Sequence, residues 1–125
     1  MEENLTSLLL ANSALTALIG QRLTWNTRQQ GAAVPAVILT VVSNIPDYTH
    51  DGETIGTHRV QIDCWAKTFS SAVAVGRAVD AALSGYKGGS FQGIFKDAER
   101  QSFETGAEAA ERFYRVSLDY MIWHN

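Results

Sequence analysis

Arg112-Phe-Tyr-Arg-Val-Ser-Leu-Asp-Tyr-Met-Ile-Trp-His124 is the stretch on which the reading of this chain turns. In an extended conformation Tyr114, Val116, Leu118, Tyr120 and Ile122 share one face, while Arg115, Ser117, Asp119, Met121 and Trp123 share the other. That period of two belongs to a β-strand and would scatter the apolar residues around a helix. His58 to Lys67 repeats the pattern, with Val60, Ile62, Cys64 and Ala66 set against Arg59, Gln61, Asp63, Trp65 and Lys67, and reads as a half-exposed strand. Two strands that each carry an apolar face need a common cover.

The cover comes from segments with helical spacing. Leu5, Leu8, Leu9, Leu15, Leu18 and Ile19 recur at steps of three and four, interrupted at Asn12-Ser13, which predicts a helix, a break and a short second helix capped by Ser13 and stopped by Gly20. Ser70-Ser71 can cap a further helix running to Ser84, with Ala72, Val75, Gly76, Val79, Ala82 and Leu83 in one stripe and Gly85 as its end. Its small residues permit close approach to a sheet. Leu23 to Asn26 reads as a short strand, and Arg28 to Gly31 as a polar loop. Pro35 drives its predecessor into an extended conformation, so a strand starts there. Ala36 to Val42 is apolar on both faces, which predicts cover on both sides, by a helix on one and a neighbouring subunit on the other. Ser43 to Thr57, with Pro46, Asp51-Gly52 and Gly56, reads as a long polar excursion. Phe91, Ile94-Phe95 and Ala98 to Glu104 read as short strands separated at Gly93 or Asp97. The expected fold is α+β: one domain spanning residues 1–125, a mainly antiparallel sheet packed on one face by two or three helices.

The chain has 125 residues, 46% hydrophobic and 18% charged, which suits a single core and argues against a disordered chain. A formal net charge of −3 speaks against a broad phosphate-binding surface. One cysteine excludes an internal disulfide and a Cys-x-x-Cys site. The acidic Met1-Glu-Glu-Asn4 start does not resemble a secretory signal, and the longest apolar runs fall far short of the ~20 residues that cross a bilayer as a helix, so the expectation is a soluble cytosolic product with no membrane partner.

Few residues invite chemistry. His50, Asp51, His58 and Asp63 have the donor types of a zinc site but no ligand spacing, and the first two fall in the polar excursion. Cys64 lies in phase with Val60 and Ile62, as a small buried hydrophobe would. Asp63 and Asp119 could form an acid–base pair, but mid-strand acids facing Arg59, Arg115 or Lys67 read as cross-strand ion pairs. Gly85, Gly88, Gly89 and Gly93 lack the setting of a phosphate loop and read as turns. No catalytic residue, metal ligand or cofactor is expected. Trp65, Phe69, Met121 and Trp123 are more informative, because large apolar groups on the face opposite the core need either a second layer or a partner. Aromatic and methionine side chains are enriched at subunit contacts, so these four form the candidate subunit interface.

With this order of elements, the chain resembles the phage tail completion family, which includes head-tail connector and tail terminator proteins of long-tailed phages and of gene transfer agents. The resemblance rests on Leu5-x-x-Leu8-Leu9 leading to Leu18-Ile-Gly-Gln-Arg-Leu23, on Val34-Pro-Ala-Val-Ile38, on Val60-Gln-Ile-Asp-Cys-Trp-Ala66, on Val79-Asp-Ala-Ala-Leu83 and on Phe113-Tyr-Arg-Val-Ser-Leu-Asp-Tyr120. It implies a structural virion protein, not an enzyme, that forms a ring, commonly a hexamer, capping the head-proximal end of the tail tube. Such a ring stops tube polymerisation and joins tail to head. The implied partners are further copies of the chain, the tail tube protein and a head-completion or connector protein. DNA would pass through the ring without specific binding. The implied location is the head-proximal end of the virion tail, after assembly in the bacterial cytoplasm. Asp47, Tyr48, Thr49, His50 and Asp51 then become a candidate tube-docking loop. The competing reading is a small non-catalytic ligand-binding or regulatory α+β module.

Overall fold

The computed structural model describes residues 1–26, 34–48, 54–105 and 112–124. Three helices, α1 (Glu2–Leu10), α2 (Ser13–Ile19) and α3 (Phe69–Leu83), accompany five strands: β1 (Leu23–Trp25), β2 (Ala36–Tyr48), β3 (Thr54–Ala66), β4 (Phe91–Thr105) and β5 (Arg112–His124). The strands form one sheet in the order β1-β2-β3-β5-β4. All pairings are antiparallel except β1 with β2, which is parallel. This is the expected α+β architecture, with one parallel pair added at an edge.

Alternation along β5 and β3 builds the core. Their register sets Val60 beside Tyr120, Ile62 beside Leu118 and Cys64 beside Val116, and β2 extends the same rows through Leu39 and Val37. Every one of these side chains is buried in a single cluster with Leu5, Leu9, Leu15, Ile19, Ala72, Val75, Val79 and Leu83 of the helices. Each fully buried aliphatic side chain contributes about 1.5–3 kcal/mol relative to exposure, so this face supplies most of the driving force. α3 lies against β3 and β5, while α1 and α2 pack on α3. Gly76 permits the close approach: a Cβ there would stand 3.0 Å from Val116 Cγ1. Burial pushes the Cys64 thiol far above its ordinary range, which leaves it neutral and unreactive.

The helix caps differ from the sequence reading by one position or more. Asn12, not Ser13, caps α2, its Oδ1 accepting from Leu15 N at 3.0 Å. Thr68 caps α3 in place of Ser70-Ser71, its hydroxyl accepting from Ser71 N at 3.2 Å. In both cases the capping residue, one step before Ser13 and two before Ser70, already has the extended backbone that a cap requires, with ψ of 111° and 151°. Gly20 and Gly85 close the turns after α2 and α3 with positive φ of 62° and 76°.

Three strand assignments change as well. Within the expected Ser43 to Thr57 excursion, the described residues Ser43 to Tyr48 and Thr54 to Thr57 are ladder, because β2 and β3 stay paired from Ala36↔Trp65 to Tyr48↔Thr54. Backbone pairing carries this arm where no apolar alternation announces it. Phe91 to Thr105 is one strand, and the breaks expected at Gly93 and Asp97 are register shifts between Phe91 and Gly93 and between Lys96 and Ala98. Such bulges bend a strand without ending it. Lastly, β3 lies mid-sheet with Asp63 and Trp65 buried, so it is not the half-exposed strand its polar alternation suggests.

Tyr120 links sheet to helix, its hydroxyl donating to Asp80 Oδ1 at 2.7 Å. Tyr120→Phe keeps the ring packing and is expected to cost about 1 kcal/mol in denaturant unfolding, whereas Ile62→Ala, which leaves a cavity in the same core, is expected to cost about 2–5 kcal/mol. Equal costs for the two would show that the hydroxyl bond, not packing, dominates this part of the core.

Candidate assembly surface

The sheet face turned away from the helices holds the side chains that the core does not use. At its centre is Asp119 on β5, only 4% exposed. Arg100 of β4 grips it with two bonds, Nη1 to Oδ2 at 2.8 Å and Nη2 to Oδ1 at 3.2 Å, and Arg59 of β3 adds Nη2 to Oδ2 at 3.3 Å. The Arg59 guanidinium also pairs with Asp97 at 2.6 Å, the acid set at the β4 bulge. The Arg100 bonds, with Arg59 adding to them, hold the Asp119 carboxyl below its usual range. Among the described residues Asp63 takes no arginine. It accepts from Ser117 Oγ at 2.6 Å and from Gln61 Nε2 at 3.1 Å, so the ion-pair expectation holds for Asp119 and fails for Asp63, where a hydroxyl occupies the opposite strand position. The two acids are thus locked into structural networks.

Apolar groups flank this polar centre. Phe95 of β4, 53% exposed, meets Trp123 of β5 edge to face, with ring centroids 5.2 Å apart. Met121 lies beside them in the register Phe95↔Met121 and receives an Arg59 Nη1 hydrogen bond at its sulfur, 3.7 Å away. Trp65 sits at the other end of the face, buried to 7% exposure, with the Arg115 guanidinium 5.2 Å from the ring centre. A cation over an indole face is a favourable electrostatic contact. This chain alone therefore covers Trp65 closely.

Of the four residues proposed from the sequence, Trp123 and Met121 come together, Trp65 lies apart from them and Phe69 is elsewhere. Phe69 opens α3 and meets Tyr114, 6.2 Å between centroids, a residue in phase with the inner face. Its placement opposite the core is corrected by the helix starting one position before Ser70. Asp47 and Tyr48 belong to β2, opposite Ile55 and Thr54, while Thr49, His50 and Asp51 lie outside the described residues. Sequence reasoning missed Val42, Phe95 and Phe103, each more than half exposed. The signal for Phe95 was available, since it alternates with Ile94 across a strand that was read as fragments.

At the other end of the inner face, His124 Nε2 lies 2.9 Å from Asn4 Nδ2, and His58 packs edge to face on His124 at 6.4 Å. Burial holds the His58 imidazole below its ordinary value of 6.5. Among the described residues no group of three or more His, Cys, Asp and Glu could hold a metal ion. A groove of about 350 Å³ is lined by Asn4, Ser7, Tyr86, Gly88, Ser90 and Phe91, a mixed and open lining with no charged group among these residues.

Three comparisons bear on this surface. The family described as "Tail completion protein gp17" matches residues 3–125. No curated protein sequence matches. Among solved structures, a chain of the "Virion of native gene transfer agent (GTA) particle" is similar with a TM-score of 0.67 at 18% identity, over 96% of this chain and 90% of that one. At that identity the likeness is one of fold.

The Asp119 network carries a pH signature. With its folded value depressed, its stabilisation is complete above the ordinary carboxylate value of 3.8 and is lost as pH falls below it. His58, depressed from 6.5, removes stability earlier in the same descent, because the unfolded chain takes up the proton first. Asp119→Asn is expected to lower stability at pH 7 and to flatten the stability curve below about pH 4 while leaving the loss below pH 6.5 intact. An unchanged slope below pH 4 in acid titrations followed by circular dichroism would contradict the network.

Proposed function

Because the chain belongs to the tail completion protein gp17 family, a family of structural phage tail proteins, we propose that it forms a ring, a homo-hexamer, at the head-proximal end of a phage-type tail. There it ends growth of the tube and provides the surface to which the head binds. The observation that carries this reading is the family match over residues 3–125. The surface supports it: the acids that might have been catalytic are bound by Arg59, Arg100, Ser117 and Gln61, and exposed aromatics remain for contact. In this reading the protein works through assembly, without catalysis. Its partners are copies of itself, the tube protein and a head-completion or connector protein, with Asp47, Tyr48, Thr49, His50 and Asp51 meeting the tube. The net charge of −3 lets DNA pass through the ring without being gripped.

Deleting the gene in particle-producing cells tests the reading. Electron microscopy is expected to show tails of uncontrolled length that carry no heads, together with filled heads that carry no tails. Tails of normal length joined to heads would overturn it.

A further inference from the structure

Among the described residues the sheet has two open edges, and they are open at opposite ends. On one side β1 covers β2 only from Val37 to Leu39 and is followed by Asn26, whose N–H bonds Leu39 O and whose φ is +70°. Beyond that point no described residue forms a strand beside Thr40 to Tyr48. On the other side the turn after α3 occupies the start of β4, through Gly85 N to Ile94 O at 2.8 Å and the Gly88–Phe91 bridge. From Phe95 to Thr105 no described residue forms a strand on the outer side of β4. Three of the exposed large apolar side chains stand on these two runs, Val42 on the first and Phe95 and Phe103 on the second.

We propose that the Phe95–Thr105 edge of one copy pairs antiparallel with the Thr40–Tyr48 edge of the next, so that the sheets of neighbouring subunits join into one closed sheet. This rests on the ring reading and specifies its contact. The occupant is a second copy because the two edges complement each other in direction and in offset. Within the sheet β4 runs opposite to β2, so a neighbour related by rotation about the ring axis presents β4 antiparallel to β2. Directly opposite residues share a sheet face, and Ser43 of the first run, paired with Arg59, lies on the outer face, as does Arg100 of the second, in the row of Ser117 and Asp63. Setting Ser43 opposite Arg100 staggers each subunit by the four positions from Arg59 to Asp63, about 14 Å at ~3.4 Å per residue. Stepping from β2 across β3, β5 and β4 to the next β2 spans four strand spacings, about 19 Å at ~4.8 Å each. The strands then tilt by about 35° from the ring axis, at the lower end of the ~35–45° that closed sheets adopt. This register also brings Val42 opposite Gln101. Pro46, which has no N–H to give, limits the new ladder on the arm side.

Cysteine pairing tests the contact in particle-producing cells and in the purified chain. Val42→Cys is combined in turn with Glu99→Cys, Gln101→Cys and Phe103→Cys, so that a register two residues away is still caught. Cys64 stays in place, since it is buried. Under mild oxidation at least one pair is expected to give a ladder of covalent multimers ending at the ring size, whereas each single variant stays monomeric on a denaturing gel. Dimers from a single β4 cysteine would mean β4 pairs with β4, and crosslinks to the tube protein alone would mean that the tube covers this edge; either result overturns the proposal. Assembled particles with no ladder from any pair overturn it too, and leave the ring reading standing. A parent chain absent from assembled tails overturns both.

Discussion

Everything in this protein hangs on β3 being buried on both sides by its own sheet neighbours. The central ladder sets Val60, Ile62 and Cys64 against Tyr120, Leu118 and Val116, and the inner rows it creates are wide enough to seat α3. Once those rows are filled, the alternate side chains have one place to go, the outer face. The same register therefore creates the hydrophobic core and the polar surface network around Asp119. Core and surface are two sides of a single pairing.

The outer face is built to be stiff. Asp119 is buried deeply enough that an unpaired charge there would be costly, and two guanidiniums from two different strands meet that need. Tying β3, β4 and β5 together through one carboxylate fixes their relative positions across the sheet. In the proposed ring a subunit repeats the same angle at every contact and benefits from such rigidity, because a closed ring tolerates little angular drift. Exposed apolar side chains lie outside this network, toward the sheet margins, where Phe95 meets Trp123 and Phe103 meets Tyr114.

The inner face was legible in the sequence because burial imposes a period. Tyr114 to Ile122 and Val60 to Ala66 alternate without a break, and Leu5 to Ile19 follows helical spacing, so the α+β class and the layer arrangement could be read directly. What could not be read was set by backbone pairing or by partners distant in sequence. The β2–β3 arm past Val41 is held by ladder bonds along mostly polar segments, whose few apolar residues, such as Ile45 and Ile55, form no alternating pattern. The bulges in β4 interrupt alternation and so masqueraded as strand ends. Trp65 looked exposed because its own strand places it among polar residues, and only the fold brings Arg115 over its ring. The same limit applied to Asp63, whose partner Ser117 is 54 positions away.

In the proposed function this chain is the repeating unit of a ring where tail meets head, and electron cryomicroscopy of intact particles at that junction tests it most directly. The expected result is a ring of six copies of this fold between tube and head, each with its helices on the same side of the ring wall and its β4 edge toward the β2 edge of the next. Density at the junction that this fold does not fit, or copies of it found only elsewhere along the tail, would contradict the account.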